Sequence, residues 1–336
     1  MKKFLSIPVL LVLMVFISCD KENEGPELTI LSPEDGVMVM KGDVVSFEME
    51  ASDEDGAITL VELLIGGKKF AEITSMPLTF DWDTDTLEAG GYSVYARVTD
   101  NDGSAGSDLI IVNINVPGGL NPELEYGSLT DYDGNSYSTV AIGEQIWMAE
   151  DLKVQHYADG TPIAEVLGDE NWAALADEGA YCWYNDHVAY ADTFGALYNW
   201  YAAVDPAGLC PSGWHLPTDE EWQQMEVFLG MSAESAAMDD WRGSNEGGAL
   251  KEVGYTNWEI YNDSATNLSG FTSLPGGFRN FNGSYNGTGY YSTYWTASSE
   301  EHGTGVYYRA LYYDHGTIYR QTNRKSQAFS VRCLKD

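Results

Sequence analysis

The chain has 336 residues, a length that fits two domains and a secretory signal. It carries 52 acidic and 17 basic residues, for a formal net charge of −35 at neutral pH. Because a surface this acidic repels phosphate backbones, we do not expect nucleic acid as a partner. A solvated acidic surface without any ligand is the simplest explanation of the charge.

Residues 1–18 are predicted to be a secretory signal, since two lysines precede an apolar run over 4–17. The four residues that end at Cys19 resemble a bacterial lipobox, in which this cysteine is lipidated and becomes the first mature residue. The alternative, a transmembrane anchor, would need a longer apolar run. Residues 19–26 form a polar tether, whose acidic stretch resembles the surface-export signal of Bacteroidetes lipoproteins. We therefore expect an outer-membrane lipoprotein exposed at the cell surface; a periplasm-facing anchor is the alternative.

Residues 27–117 alternate short apolar runs with turn signals such as Asp-Gly and Gly-Gly pairs. Seven runs predict strands, over 28–31, 44–49, 60–65, 69–73, 78–82, 92–98 and 109–116. Seven short strands in one segment predict an all-β, immunoglobulin-like sandwich. The stretches 51–58 and 92–103 resemble those of bacterial Ig-like modules on secreted proteins, which implies a spacer role.

Four aspartates fall in two predicted loops of this sandwich, namely Asp53, Asp55, Asp100 and Asp102. Loops of that topology lie at the same end, and converging carboxylates there could hold a calcium ion. The alternative is turn chemistry, because Asp before Gly favours Asx turns. Calcium is the one cofactor for which the sequence offers candidate ligands.

Residues 118–128 contain glycines and a proline and are predicted to form a short polar hinge. In residues 129–336 Tyr, Trp, Gly and Asn become abundant. A hairpin is predicted over 140–148, around Gly143, and apolar spacing predicts a helix over 193–204. Strands are predicted over 291–297, 306–313 and 329–334.

A second helix is predicted from Asp219 to Leu229. Thr218 is placed as its N-cap, and Glu221 three residues later completes a capping box. The preceding proline, Pro217, closes off the segment before the helix.

Six ordered motifs run through this second domain, over residues 133–152, 195–201, 210–218, 274–279, 294–299 and 330–333. Their sequences and their order resemble the Fibrobacter succinogenes major paralogous domain, which is common in exported proteins of Bacteroidetes. That family is similar to the C-type-lectin-like fold of formylglycine-generating enzymes. The resemblance implies an α+β C-type-lectin-like domain, but it carries no general biochemical activity.

The lectin-like resemblance also implies a disulfide from the helix entrance to the last strand, between Cys210 and Cys333. Three cysteines remain after the signal, so pairings of either residue with Cys182 stay open. Export makes a disulfide permissible.

Catalytic signals are weak in this chain. His215 has no second His or Cys at ligand spacing, so a structural role is favoured. A formylglycine-type oxidase needs a reactive cysteine pair, and Cys333 is expected to be bridged. No nucleophile elbow occurs in the sequence. We therefore expect a protein that is not an enzyme.

The segment 276–294 is rich in aromatic, amide and hydroxyl side chains, which can stack on sugars or form protein contacts. The candidate ligand residues are Arg279, Phe281, Tyr285, Tyr290, Tyr291 and Trp295. Trp295 is followed by Thr-Ala, so the Trp-Asn-Asp triplet of calcium lectins is missing. The alternative is a loop folded over its own aromatic core, with Arg279 tying it down.

We expect non-catalytic binding of a glycan or of an envelope or surface protein. The alternative is a structural or assembly component of the cell envelope without a small ligand.

Overall fold

The computed structural model describes residues 23–87, 90–115, 119–301 and 303–336. The predicted signal and its Cys19 lie outside the described residues. The chain forms two compact units, lying mainly within residues 23–111 and 112–336, and each is described by itself. None of the helices in the described ranges has the length and apolar character needed to cross a membrane.

Between residues 23 and 115, the described part of the chain contains eight strands. They are β1 (Glu27–Ser32), β2 (Val37–Met40), β3 (Val44–Ser52), β4 (Ile58–Ile65), β5 (Lys68–Ile73), β6 (Thr79–Asp83), β7 (Gly90–Asp100) and β8 (Ala105–Asn115). One sheet has the order β1-β3-β6 and the other β2-β8-β7-β4-β5. Strand β2 runs parallel to β8, whereas β4 is antiparallel to both β5 and β7.

Strand alternation explains how the two sheets share a core. In β7, Val94, Ala96 and Val98 are all fully buried, while intervening side chains are not. At the periphery, the half-exposed Phe70 of one sheet meets Phe80 of the other edge-on, with ring centroids 5.1 Å apart. The Ig-like sandwich is therefore confirmed, with one strand more than the seven predicted. The sequence pattern did not predict the additional strand, β2, because this strand is short and half-exposed.

The C-terminal unit contains fifteen strands in the described residues. They are β9 (Gly127–Thr130), β10 (Ser136–Ile142), β11 (Gln145–Met148), β12 (Ala164–Glu165), β13 (Ala180–Cys182), β14 (Leu197–Asn199), β15 (Trp214–His215), β16 (Asp240–Arg242), β17 (Gly276–Arg279), β18 (Tyr285–Thr288), β19 (Tyr291–Ser299), β20 (Val306–Tyr312), β21 (Ile318–Asn323), β22 (Ala328–Phe329) and β23 (Leu334–Lys335).

These strands form three sheets, with the orders β15-β23-β11-β10-β9, β12-β13-β14-β22-β17-β18 and β16-β21-β20-β19. Six short helices lie between them: α1 (Asp169–Ala173), α2 (Ala191–Phe194), α3 (Trp200–Ala203), α4 (Asp219–Phe228), α5 (Ala233–Ala236) and α6 (Glu246–Leu250). Single 3₁₀ turns occupy Tyr184–Asp186 and Val188–Tyr190. The protein is mostly β, with 41% of residues in strands and 12% in helices.

Several predicted elements of this unit are confirmed. The hairpin of β10 and β11 turns at Gly143, whose φ of 63° lies in the left-handed region that glycine favours. Helix α4 begins after Thr218, and the capping box between Thr218 and Glu221 is complete. The strands predicted near 291–297 and 306–313 are β19 and β20.

The helix predicted over 193–204 is wrong. The segment is instead α2, then β14, then α3, and β14 pairs with both β13 and β22. Gly195 ends α2 with a φ of 66°, where a Cβ would lie 2.8 Å from the carbonyl oxygens of Asp151 and Leu152. The apolar residues that suggested a continuous helix therefore belong in part to a buried strand.

Two boundaries also differ from the prediction. The last predicted strand, 329–334, is split into β22 and β23. The hinge predicted over 118–128 is shorter, because β9 already begins at Gly127. The Asn121 side-chain amide donates to the Asn267 carbonyl at 3.0 Å, and Leu124 packs on the C-terminal core. Burial of this apolar residue draws the segment onto the second unit.

An aromatic core and one disulfide hold the C-terminal unit together. The ring of Trp222 lies 5.0 Å from Trp147, 5.6 Å from Phe271 and 5.7 Å from Tyr294, mostly in edge contacts. Cys210 and Cys333 form the disulfide, with Cα atoms 5.9 Å apart and a sequence separation of 123. This confirms the expected pairing, and a loop of that length is worth about 4–5 kcal/mol on the chain-entropy estimate.

Candidate functional site: an aromatic cleft

The four-stranded sheet β16-β21-β20-β19 has two chemically different faces. Across it, Trp241 lies opposite Tyr319, Tyr319 opposite Ala310, and Ala310 opposite Thr293. Directly opposed residues of an antiparallel sheet point to the same face, so this row forms one strip across four strands. The strip is aromatic at one end, where the Trp241 and Tyr319 rings are 4.9 Å apart.

The other face carries arginines that meet helix α4. Arg309 donates to Glu226 and to Asp219, each at 2.7 Å. Arg320 contacts Asp219 at 2.8 Å, and Arg242 contacts Glu226 at 2.9 Å. All five groups are buried, so this network fixes the sheet on the helix and leaves the opposite face open.

A cleft of about 580 Å³ lies along the aromatic face. The hairpin of β17 and β18 borders it, and the Thr293 hydroxyl on the sheet donates to the Gly277 carbonyl of that hairpin at 3.0 Å. The lining residues are Asp240, Trp241, Phe278, Asn280, Asn286, Tyr291, Thr293, Tyr308, Ala310, Tyr319, Asn323, Gln327 and Phe329. Aromatic rings and side-chain amides therefore dominate this lining.

The Gln327 side chain is an unusual member of the lining. It is only 9% exposed, and it borders the cleft beside the aromatic rings. Its backbone N–H is satisfied by the Arg324 carbonyl at 3.1 Å. A side-chain amide both donates and accepts hydrogen bonds, so at the border of a cleft it suits a ligand with hydroxyl or amide groups.

The predicted ligand residues are not brought together in this cleft. Of the six, Tyr291 alone is in the lining. Arg279 is fully buried between the rings of Trp172 and Tyr285, 4.5 and 4.6 Å from their centroids. It donates to the carbonyls of Val166 and Gly283, so it ties the loop down, as the alternative interpretation held.

The remaining candidates have structural or peripheral positions. Trp295 is fully buried and donates from Nε1 to the Tyr198 carbonyl at 2.8 Å. Tyr285 is half-buried and donates to Asp186. Phe281 and Tyr290 are exposed, but neither lines the cleft.

The cleft residues that the sequence analysis missed include Trp241, Tyr308, Tyr319 and Gln327. Apart from the alternation of Tyr308 and Tyr319 along their strands, they show no local motif. The pairing of distant strands brings them together, and one sequence does not reveal which strands pair.

His215 is held by carboxylates on both sides. Its Nδ1 lies 2.6 Å from Asp336 and its Nε2 3.0 Å from Glu221, the capping-box residue of α4. Burial disfavours the charged ring, but the hydrogen bonds to the two carboxylates outweigh it and raise the pKa of His215. The contacts agree with the structural role predicted from the sequence.

The aspartate loops of the N-terminal sandwich do meet at one end, where the Ala57 N–H donates to the Asn101 side chain. Oδ1 of Asp53 accepts from the backbone N–H of Asp55 and Gly56. Oδ1 of Asp100 likewise accepts from the N–H of Asp102 and Ser104.

These bonds favour the turn explanation over the predicted calcium site. Within residues 23–87, 90–115, 119–301 and 303–336, no group of three or more His, Cys, Asp or Glu could hold a metal ion.

Cys182 is free and fully buried. Burial raises the pKa of its thiol to about 11, which disfavours the reactive thiolate.

The fold and the cleft thus define a mostly β protein with an Ig-like N-terminal domain and a disulfide-closed C-terminal domain. Residues 26–96 match the bacterial Ig domain. Residues 140–335, more than half of the chain, match the Fibrobacter succinogenes major domain, and the chain belongs to that family. The resemblance expected from the sequence motifs is therefore confirmed. No curated protein matches the chain.

Several solved structures are similar to part of the chain. Fibronectin(III)-like modules of Clostridium thermocellum CbhA share 22% identity over 27% of this chain and 47% of theirs, with a TM-score of 0.25. The PKD1 domain of Vibrio anguillarum Epp shares 25% identity over 29% of this chain and all of its own, with a TM-score of 0.22. An endo-beta-1,4-mannanase from Thermotoga petrophila is 14% identical over 30% of this chain and 22% of its own, with a TM-score of 0.24. The chain thus spans less than half of the Clostridium and Thermotoga chains, and TM-scores this low carry no argument about function.

Proposed function

We propose that the C-terminal domain is a non-catalytic carbohydrate-binding module and that the aromatic cleft is its binding site. The observation that carries the proposal is a cleft of about 580 Å³ whose lining is dominated by aromatic rings and side-chain amides. Sugars have apolar C–H faces, on which aromatic rings can stack. They also carry many hydroxyl groups, which side-chain amides can bind because an amide both donates and accepts hydrogen bonds.

The cleft has the form expected of a ligand site. Its volume lies within the usual range of about 300–1,000 Å³ for small-molecule pockets. Trp241 is 39% exposed at its edge, so a stacking surface is available without rearrangement. The buried arginine network behind the sheet holds the floor rigid, which limits the entropy lost on binding.

We further propose that this domain has the C-type-lectin-like fold that the family resemblance implies. In the proposed arrangement the Ig-like domain is a spacer, and lipid on Cys19 anchors the protein at the outer membrane, facing outward. A formylglycine-type reaction receives no support, because Cys333 is bridged and Cys182 is buried with a raised pKa.

Binding of the mature full-length protein to a glycan array, followed by calorimetry on the hits, tests the binding site. We expect Trp241→Ala to lose about 2 kcal/mol of binding free energy, roughly thirtyfold in Kd, because a stacked Trp dominates such sites. Phe228→Ala is the matched control: this aromatic side chain is 63% exposed and does not line the cleft.

Three outcomes are informative. If the wild type binds no glycan, the proposal fails. If Trp241→Ala and Phe228→Ala bind glycan equally well, the cleft is not the site. An envelope protein captured by the wild type but not by Trp241→Ala would replace the glycan as the ligand.

A further inference from the structure

The described lining of the cleft carries negative charge and no positive charge. Among the described residues that line it, Asp240 is the only charged side chain, and no Lys, Arg or His is present. The sheet's buried arginines lie on its opposite face, bound to Asp219 and Glu226. An acidic ligand would therefore find no cation in the lining to offset its charge.

Asp240 borders the cleft, although its strand pairing is with a residue of the arginine face. It begins β16 with a φ of 71°, a left-handed conformation that Asp and Asn tolerate better than most residues. Its partner across the strands is Arg320, whose guanidinium binds Asp219 and Asp239. The Asp240 carboxylate instead lies within hydrogen-bonding reach of the Tyr319 phenol on the aromatic face. The Asp240 carboxylate is exposed beside Trp241 and lines the cleft.

The neighbouring groups leave this negative charge in place. His315 lies against Trp241, with ring centroids 4.2 Å apart. Burial lowers the pKa of His315, so the ring is uncharged at neutral pH. The Tyr319 phenol near Asp240 is also neutral, because burial and then Asp240 raise its pKa.

We infer that the cleft selects glycans without acidic groups and that Asp240 is the specificity-determining residue, an inference that rests on the proposed carbohydrate site. The carboxylate accepts hydrogen bonds from sugar hydroxyls, and charge-assisted bonds of this kind are strong. A uronic acid, sulfate or phosphate would instead meet it as a like charge, and this repulsion weakens the binding of an acidic ligand.

The net charge of −35 adds a long-range repulsion of acidic glycans. Salt screens that part, with a Debye length of about 8 Å at physiological ionic strength. Discrimination by Asp240 acts at contact distance, so it persists when salt is raised. Raising the salt concentration therefore distinguishes the selectivity due to Asp240 from the repulsion due to the net charge.

The test uses pairs of β-glucan oligosaccharides and of other array hits that share backbone and linkage, one neutral and one oxidised to the uronic acid. We expect the wild type to bind the neutral member at least tenfold more tightly at both low and high salt. Asp240→Asn keeps the shape and tolerates the same backbone, and it should reduce the preference by about tenfold, or 1.4 kcal/mol. Asp239→Asn, one residue earlier and outside the lining, should leave the preference unchanged.

The outcomes distinguish this inference from the proposed function. A wild type that binds no glycan overturns both. Wild-type binding of acidic members as tightly as neutral ones overturns the charge selectivity alone. A preference that survives in Asp240→Asn, or one that salt abolishes, overturns the role of Asp240.

Discussion

His215 illustrates how one side chain can join three parts of a domain. The residue lies in β15, one of its partners belongs to the cap of α4, and the other, Asp336, follows β23. The ring therefore fastens the helix entrance beside the Cys210–Cys333 bridge. Its position in a conspicuous motif suggested chemistry, but both nitrogens are engaged in structural contacts.

The raised pKa of His215 makes this contact dependent on pH. Its folded-state pKa lies above the ordinary value of 6.5, so the folded protein binds the proton more tightly than the unfolded chain. The stabilisation is fully present below pH 6.5 and is lost as pH rises through the folded-state pKa.

We expect His215→Gln to lower the free energy of unfolding more at about pH 5.5 than at about pH 9, as measured by urea denaturation. Asp336→Asn removes one of the two carboxylates that bind His215. It should also lower the free energy of unfolding more at about pH 5.5 than at about pH 9, but by a smaller difference. A loss of stability that is equal at both pH values would show that the charge of the ring is unimportant.

At the scale of elements, α4 and the sheet behind the cleft depend on each other. Asp219, Trp222 and Glu226 recur at helical spacing and are all buried, so the helix presents two carboxylates and an indole to the sheet. Three strands of the sheet each contribute one arginine to this contact, Arg242 from β16, Arg309 from β20 and Arg320 from β21. Because side chains alternate between the two faces of a strand, the neighbouring aromatic residues lie on the far face, and the ionic network and the cleft arise from one pattern.

Breaking the network from the helix side should be costly. Asp219→Asn leaves Arg309 and Arg320 without their buried carboxylate, and we expect a loss of about 3–5 kcal/mol in the free energy of unfolding. Asp239→Asn removes the more exposed partner of the same Arg320 and should cost about 1 kcal/mol or less. Equal losses in the two variants, measured by urea denaturation, would contradict the assigned role of burial.

At the scale of the whole molecule, the chain combines an Ig-like domain with a domain of the Fibrobacter major family behind a predicted lipid anchor. The disulfide between residues 210 and 333 closes most of the second domain. Its formation requires an oxidising compartment, which is consistent with the predicted export.

The anchor leads to a direct prediction. In a bacterium that processes lipoproteins, the wild type should incorporate labelled palmitate and sediment with the membrane fraction. Cys19→Ser should lose the label and appear in the soluble fraction or remain unprocessed, because the lipid is attached to that thiol. Cys182→Ser is the control, since this buried cysteine should not affect labelling. Labelling that persists in Cys19→Ser would rule out the proposed anchor.

The sequence alone was sufficient for the family, seven of the eight Ig-like strands, the capping box at Thr218 and the candidate bridge between residues 210 and 333. These features are encoded in short local patterns or in motifs that survive in one chain. The sequence did not predict β14, because apolar spacing suits a short helix and a buried strand alike, and tertiary pairing decided between them. The sequence did not predict the cleft either, because Trp241, Tyr319 and Gln327 share no motif. Alternation shows that two side chains lie on one face of a strand, but only the packed structure determines which strands are neighbours and which side chains line the cleft between them.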